Sequence, residues 1–164
     1  MSDINSGSSK NQNGLTITRI FDAPKELVWK AWTDPEHIKQ WWGPKDYNSP
    51  SCSADFRIGG KMHFCMKSKI DGMEIWSTGV YKEIIPFEKI VMTDCFADEK
   101  GNVVPSTYYK MEGIPLEMLI TVTFENYEGK TKMTLVHSGL PEDHSKDANI
   151  GWNESLDKLE ASLK

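Results

Sequence analysis

The chain has 164 residues, of which 38% are hydrophobic and 26% charged, the balance of a single compact globular domain. A formal net charge of −5 and a sequence pI near 5.4 give phosphate-backbone binding no electrostatic support, so nucleic acid is not an expected partner. No apolar run reaches the ~18 residues of a membrane span, and the N-terminus lacks a signal peptide's charged-then-apolar order; a cytoplasmic protein is expected. Cys52, Cys65 and Cys95 are odd in number and widely spaced, which suits reduced thiols better than a disulfide framework. The sequon Asn153-Glu154-Ser155 carries no meaning without secretion.

Residues Met1 to Gly14 are Ser/Asn/Gly-rich and aperiodic, and read as a disordered tail before a single domain over 15–164. Leu15–Phe21 alternates as a strand does. A helix follows, with Pro24 in its first turn and Leu27, Val28, Ala31 and Trp32 at helical spacing. Asp34 caps a second short helix that starts at Pro35 and ends at Gly43-Pro44. Ile38, Trp41 and Trp42 stand at spacings of three and four, which turns the two tryptophans about 100° apart on a helix. Trp41 is expected to face the core and Trp42 the mouth of a cavity beside Tyr108 or Tyr109. The simpler alternative is that both staple the short helices to a sheet.

A long β region comes next. The stretch "SADFRIGGKMHFCMKS" bends at Gly59-Gly60 and then sets Met62, Phe64 and Met66 on one face, expected to be buried. "DGMEIWSTGVYKEI" pairs back after the turn at Asp71-Gly72. "EKIVMTDCF" places Ile90, Met92, Asp94 and Phe96 together. The connection Ala97–Pro115, holding Tyr108, Tyr109 and Met111, is long enough to be functional or mobile. "EMLITVTFENYEGKTKMTLVHSG" is a hairpin around Glu128-Gly129. The final helix, Lys146–Leu163, carries a stripe of Ala148, Trp152, Leu156, Leu159 and Leu163 and spans roughly 27 Å. Gly151 weakens it and is expected to leave room for a close neighbour, a strand or a ligand. The predicted architecture is α+β: a helix grip, with a curved antiparallel sheet around the C-terminal helix and two short helices plugging one end.

The segments "RIFDAPKELVWKAWTDPEHIKQWWGP", "IGGKMHF", "GVYKEIIPFEKIVMTDCF", "LITVTFE" and "GWNESLDKLEASL" resemble, in order, the START-like (SRPBCC) polyketide cyclase and lipid-transport superfamily. They are most similar to the branch named after the C-terminal domain of the heat-shock ATPase activator. The likeness covers Leu15 to Lys164. It implies a six- or seven-stranded sheet gripping the last helix, with an apolar cavity between. It also implies a choice of roles, since relatives include lipid and sterol carriers, aromatase/cyclases, a self-sacrificing resistance protein and stress-response co-chaperone domains.

Eight methionines and six tryptophans point the same way, because Met fills adaptable apolar space and Trp brings a large ring with one polar edge. Met62, Phe64, Met66, Trp76, Met92 and Met118 are the expected cavity wall on the sheet side, with Ile120 beside them. Trp152 and Leu156 form it on the helix side, and Trp42, Tyr108 and Tyr109 at the mouth. No metal or cofactor is expected, since His37, His63, His137 and His144 stand alone, with no HxH, HExxH or paired CxxC. "IGGKM" lacks the spacing of a phosphate loop, and no GxSxG elbow is present.

One polar pair remains. His137 shares its strand face with Met133 and Leu135, and Asp94 shares its own with Ile90 and Met92. Two strand spacings place them about 10 Å apart, with room between for a group to be hydrogen-bonded or proton-shuttled. Burial is expected to keep His137 neutral, so that it could act as a general base. The alternative puts both residues at the sheet rim, facing water or capping loop amides. Three functions follow: binding of a small apolar or aromatic ligand; a cyclase- or hydrolase-type enzyme using His137 and Asp94; or a protein-binding module using the outer face of the sheet or the long loop. The expected partner is an apolar small molecule, with a homodimer and a chaperone contact as further options.

Overall fold

A computed structural model describes residues 14–164. Gly14, assigned above to the tail, pairs with Ser138 and opens strand β1 (Gly14–Phe21); the rest of the predicted tail, 1–13, lies outside the described residues. Pro24 stands in extended conformation just ahead of helix α1 (Lys25–Thr33), one position earlier than expected. The helix buries Val28, Trp29, Ala31 and Trp32, while Leu27, expected on that face, is 45% exposed. Trp29 displaces it because its larger ring wedges against Phe124 at 5.5 Å and Phe56 at 5.7 Å. Asp34 caps helix α2 (Pro35–Ile38), its Oδ1 accepting from the Glu36 amide at 3.1 Å.

Seven further strands follow: β2 (Tyr47–Asn48), β3 (Cys52–Ala54), β4 (Lys61–Ser68), β5 (Glu74–Ile85), β6 (Lys89–Ala97), β7 (Met118–Tyr127) and β8 (Lys130–Ser138). Helix α3 (Glu142–Ser162) closes the described chain. The eight strands form one antiparallel sheet in the order β1-β8-β7-β6-β5-β4-β2, with β3 also pairing with β4. The count exceeds the expected six or seven because Tyr47–Asn48 forms a two-residue strand, too short to show any period-2 pattern.

Sheet curvature has a local cause. A Cβ on Gly79 would lie 2.0 Å from the Thr93 carbonyl oxygen, so only glycine lets β5 approach β6 there. A register shift between Tyr81 and Glu83 adds a bulge to the same strand. The concave face carries Phe21, Met62, Phe64, Tyr81, Ile90, Ile120, Val122 and Leu135, all buried against Leu156 and Leu159 of α3. Arg19 ties β1 to that helix, its guanidinium 2.7 Å from the Asp157 carboxylate and donating to the Asn153 carbonyl at 2.9 Å. Helix α3 starts four residues before Lys146, where Glu142 and Asp143 sit favourably at the positive end of the helix dipole.

Candidate functional site

The two halves of the grip differ in what fills them. Over one half, α1 inserts Trp32, α2 inserts Ile38 and the turn after α2 inserts Trp41, all packed into the buried core. Trp41 is fully buried and its indole N–H donates to the Ala31 carbonyl at 2.8 Å. Trp42, the next residue, turns to the other half, 4.8 Å from Phe64 and 5.8 Å from Trp152, ring centre to ring centre. The adjacent tryptophans thus divide the labour, one filling the packed half and the other bounding a cavity.

That cavity has a volume of about 520 Å³. Its sheet wall is Met66 of β4, Ile75 and Ser77 of β5, Asp94 and Phe96 of β6, Met118 of β7 and His137 of β8. Helix α3 contributes His144, Asp147, Ala148, Gly151, Trp152 and Ser155, the loop after α2 contributes Trp42 to Pro44, and β2 contributes Tyr47. Gly151 keeps the wall thin, since a Cβ there would meet Pro44 Cγ at 3.4 Å; its neighbour is a loop proline rather than a strand. Lys158 holds this loop onto α3, its ammonium donating to the carbonyls of Pro44 and Tyr47 at 3.1 and 3.0 Å. Burial, with Lys69 nearby, lowers the pKa of that ammonium.

Of the residues expected to line the cavity, Trp42, Met66, Asp94, Met118, His137 and Trp152 do so. Met62, Phe64, Met92, Ile120 and Leu156 do not: they face inward but lie in the half packed solid by the short helices. Trp76 points to the opposite, convex face, because Ile75 pairs with Met66 and Ser77 with Phe64 across the ladder. There Trp76 stacks on His63 at 4.6 Å. Tyr108 and Tyr109 are not at the mouth either. Tyr109 is buried beside Phe96, accepting from the Trp76 amide and donating to the Ala97 carbonyl, while Tyr108 is 58% exposed. The long connection still covers the cavity, through Met111 and Ile114 instead. His144 Nε2 pins it down by donating to the Glu112 carbonyl at 2.7 Å.

His137 and Asp94 are far closer than expected. Nε2 lies 3.1 Å from Oδ2, with the two side chains 8% and 16% exposed. Curling of the sheet converges side chains on its concave face, so the 10 Å backbone estimate overstated their separation. On its other side, His137 Nδ1 accepts the Trp152 indole N–H at 3.0 Å. Indole can only donate, so the ring proton must sit on Nε2. The Nε2–H is not aimed along the line to Asp94, and the contact is close without being a formed hydrogen bond. His137 therefore has no free lone pair to act as a general base, contrary to expectation. It presents a donor, and Asp94 beside it presents an acceptor.

Among the described residues, no group of three His, Cys, Asp or Glu side chains could hold a metal ion, and no helix is long and apolar enough to cross a membrane. The family model described as Activator of Hsp90 ATPase homolog 1-like protein matches residues 22–164. A solved protein from Chromobacterium violaceum is 26% identical, with 92% of this chain and 96% of that one aligned at a TM-score of 0.75. Another from Arthrobacter aurescens is 25% identical over 93% of this chain and 87% of that one, at 0.79. The AHSA1 protein of Silicibacter pomeroyi shares the fold at a TM-score of 0.73, with 23% identity over 92% and 97% of the two chains. No curated protein matches. A helix grip matched along residues 22–164 settles the kinship: the chain belongs to the Activator of Hsp90 ATPase homolog 1-like family.

Proposed function

We propose that this protein binds a small, largely apolar molecule inside the grip. The supporting observation is the cavity of about 520 Å³, within the ~300–1,000 Å³ of small-molecule sites. Its walls are rich in methionine, isoleucine and aromatic rings, with a few polar groups that include the adjacent His137 and Asp94. Well-packed interiors leave few voids larger than a water molecule, and a space of this size exceeds what packing alone leaves. Trp42 and Trp152 would grip the flat face of a ring or a branched chain, and Met66, Met111 and Met118 would adapt to its outline. Three unpaired thiols support a reducing, cytoplasmic setting for this role.

The test is a titration with N-phenyl-1-naphthylamine, a neutral fluorophore that brightens in apolar surroundings. Saturable brightening at one probe per chain, with a shift in tryptophan emission, is expected. A linear, unsaturable response equal to that of the unfolded chain would reject the reading.

A further inference from the structure

We propose that the ligand carries a hydroxyl group, alcoholic or phenolic, which docks against the adjacent His137 and Asp94; this rests on the binding role proposed above and names the chemistry the cavity selects. Two residues that line the cavity carry one unmet donor and one acceptor side by side. The donor is the His137 Nε2–H, on a residue only 6% exposed and without an aligned acceptor among the described residues. The acceptor is the Asp94 carboxyl group, 3.1 Å away, which has no lysine or arginine within bonding distance among the described residues. A hydroxyl is the simplest group that answers both, since its oxygen accepts from Nε2–H while its proton goes to the carboxylate.

Competing head groups fit worse. A carboxylate or phosphate would meet Asp94 and Asp147 with like charge, and no lysine or arginine lines the cavity among the described residues to offset it. An ammonium would satisfy Asp94 but leave Nε2–H unpaired. A ketone would satisfy Nε2–H but turn a lone pair towards the carboxylate. Hydrocarbon would leave both polar groups facing apolar surface.

Trp152 is the positioning residue. Its indole N–H holds Nδ1 as the acceptor and so keeps the proton on Nε2, the nitrogen beside Asp94. With that donor removed, the imidazole is free to take the other tautomer, and the site loses its donor without losing its shape.

The experiment compares 2-naphthol, 2-methylnaphthalene and 2-naphthoate, three ligands with one ring body, on the full chain at pH 7 by tryptophan quenching. Naphthol is expected to bind ~10-fold or more tightly than methylnaphthalene, the effect of one charge-assisted hydrogen bond, and naphthoate to bind weakest. In Trp152→Phe both ligands lose part of the cavity wall, and the ratio of naphthol to methylnaphthalene affinity should fall to a few-fold. Nitrogen-15 NMR of the wild-type imidazole gives an independent check that needs no variant: Nε2 should carry the proton and Nδ1 should not. Equal binding of naphthol and methylnaphthalene, tighter binding of naphthoate, or the opposite tautomer would overturn the hydroxyl site and leave the cavity's binding role standing. If none of the three binds, that role falls and the hydroxyl site falls with it.

Discussion

The indole N–H of Trp152 donates to His137 Nδ1 at 3.0 Å, joining the gripping helix α3 to the last strand of the sheet. Trp152 also stacks on Trp32 at 6.2 Å, but one side of its ring faces the cavity. Trp152→Ala should therefore cost about 2 kcal/mol, less than the ~3–5 kcal/mol of a fully enclosed tryptophan, because fewer contacts are lost. Trp152→Phe should cost about 1 kcal/mol, the net worth of one buried hydrogen bond. Urea denaturation at pH 7 measures both. A loss under ~0.5 kcal/mol for the alanine variant would mean that this half of α3 does not grip.

The neighbouring tryptophans should separate stability from binding. Trp41 is fully enclosed and hydrogen-bonded to Ala31, so Trp41→Ala should cost ~3–5 kcal/mol. Trp42→Ala should cost about half as much in urea, because its ring already borders a void. Of these two variants, only Trp42→Ala should weaken probe binding where both remain folded, roughly tenfold for the loss of one aromatic wall.

Gly151 offers a way to close the cavity. Gly151→Ala should raise stability by up to about 1 kcal/mol, the helix-propensity gain, since its Cβ would only touch Pro44 Cγ at 3.4 Å. Gly151→Leu should fill the space and abolish binding of the fluorescent probe while far-UV circular dichroism stays unchanged. Undiminished binding by the leucine variant would place the probe elsewhere.

The thiols predict an alkaline limit to stability. Burial pushes Cys52 up to about 12, and Cys65 and Cys95 up to about 11, from an ordinary value of 9.0. Above pH 9 the unfolded chain releases these protons while the folded chain keeps them, so stability falls as pH rises from there towards 11. Below pH 9 these groups add no slope. Urea midpoints from pH 8 to 10.5 check the sign. At pH 8 an aromatic disulfide reagent should react with the folded chain ~100-fold more slowly than with the unfolded one, since only thiolate attacks.

What could be read from the sequence was what repeats with period two. The alternation of Met62, Phe64 and Met66, of Ile90, Met92, Asp94 and Phe96, and of Met133, Leu135 and His137 placed the concave face of three strands. Trp76 was misplaced because its face depends on the length of the turn before it: five residues, Lys69 to Met73, separate β4 from the start of β5 and set Ile75 and Ser77 inward. Ser77, a polar group of the cavity wall, was missed with it. Tyr108 and Tyr109 were misjudged because an aperiodic connection shows no facing; Met111 and Ile114 cover the cavity in their stead. The short distance between His137 and Asp94 depends on curvature generated at Gly79 and the adjacent bulge, which is a property of the assembled sheet.

The methionines supply the most direct test of the central claim, that this chain binds apolar ligand in one half of its grip. With methyl-carbon-13 methionine, each side chain reports on its own surroundings. Met66, Met111 and Met118 line the cavity; Met62, Met92 and Met133 are buried in the packed half; Met73 is 43% exposed on the surface. Addition of 2-naphthol should shift the methyl resonances of Met66, Met111 and Met118 and leave those of Met62, Met92, Met133 and Met73 nearly in place. Unmoved resonances at Met66, Met111 and Met118, or shifts confined to Met73, would contradict the account.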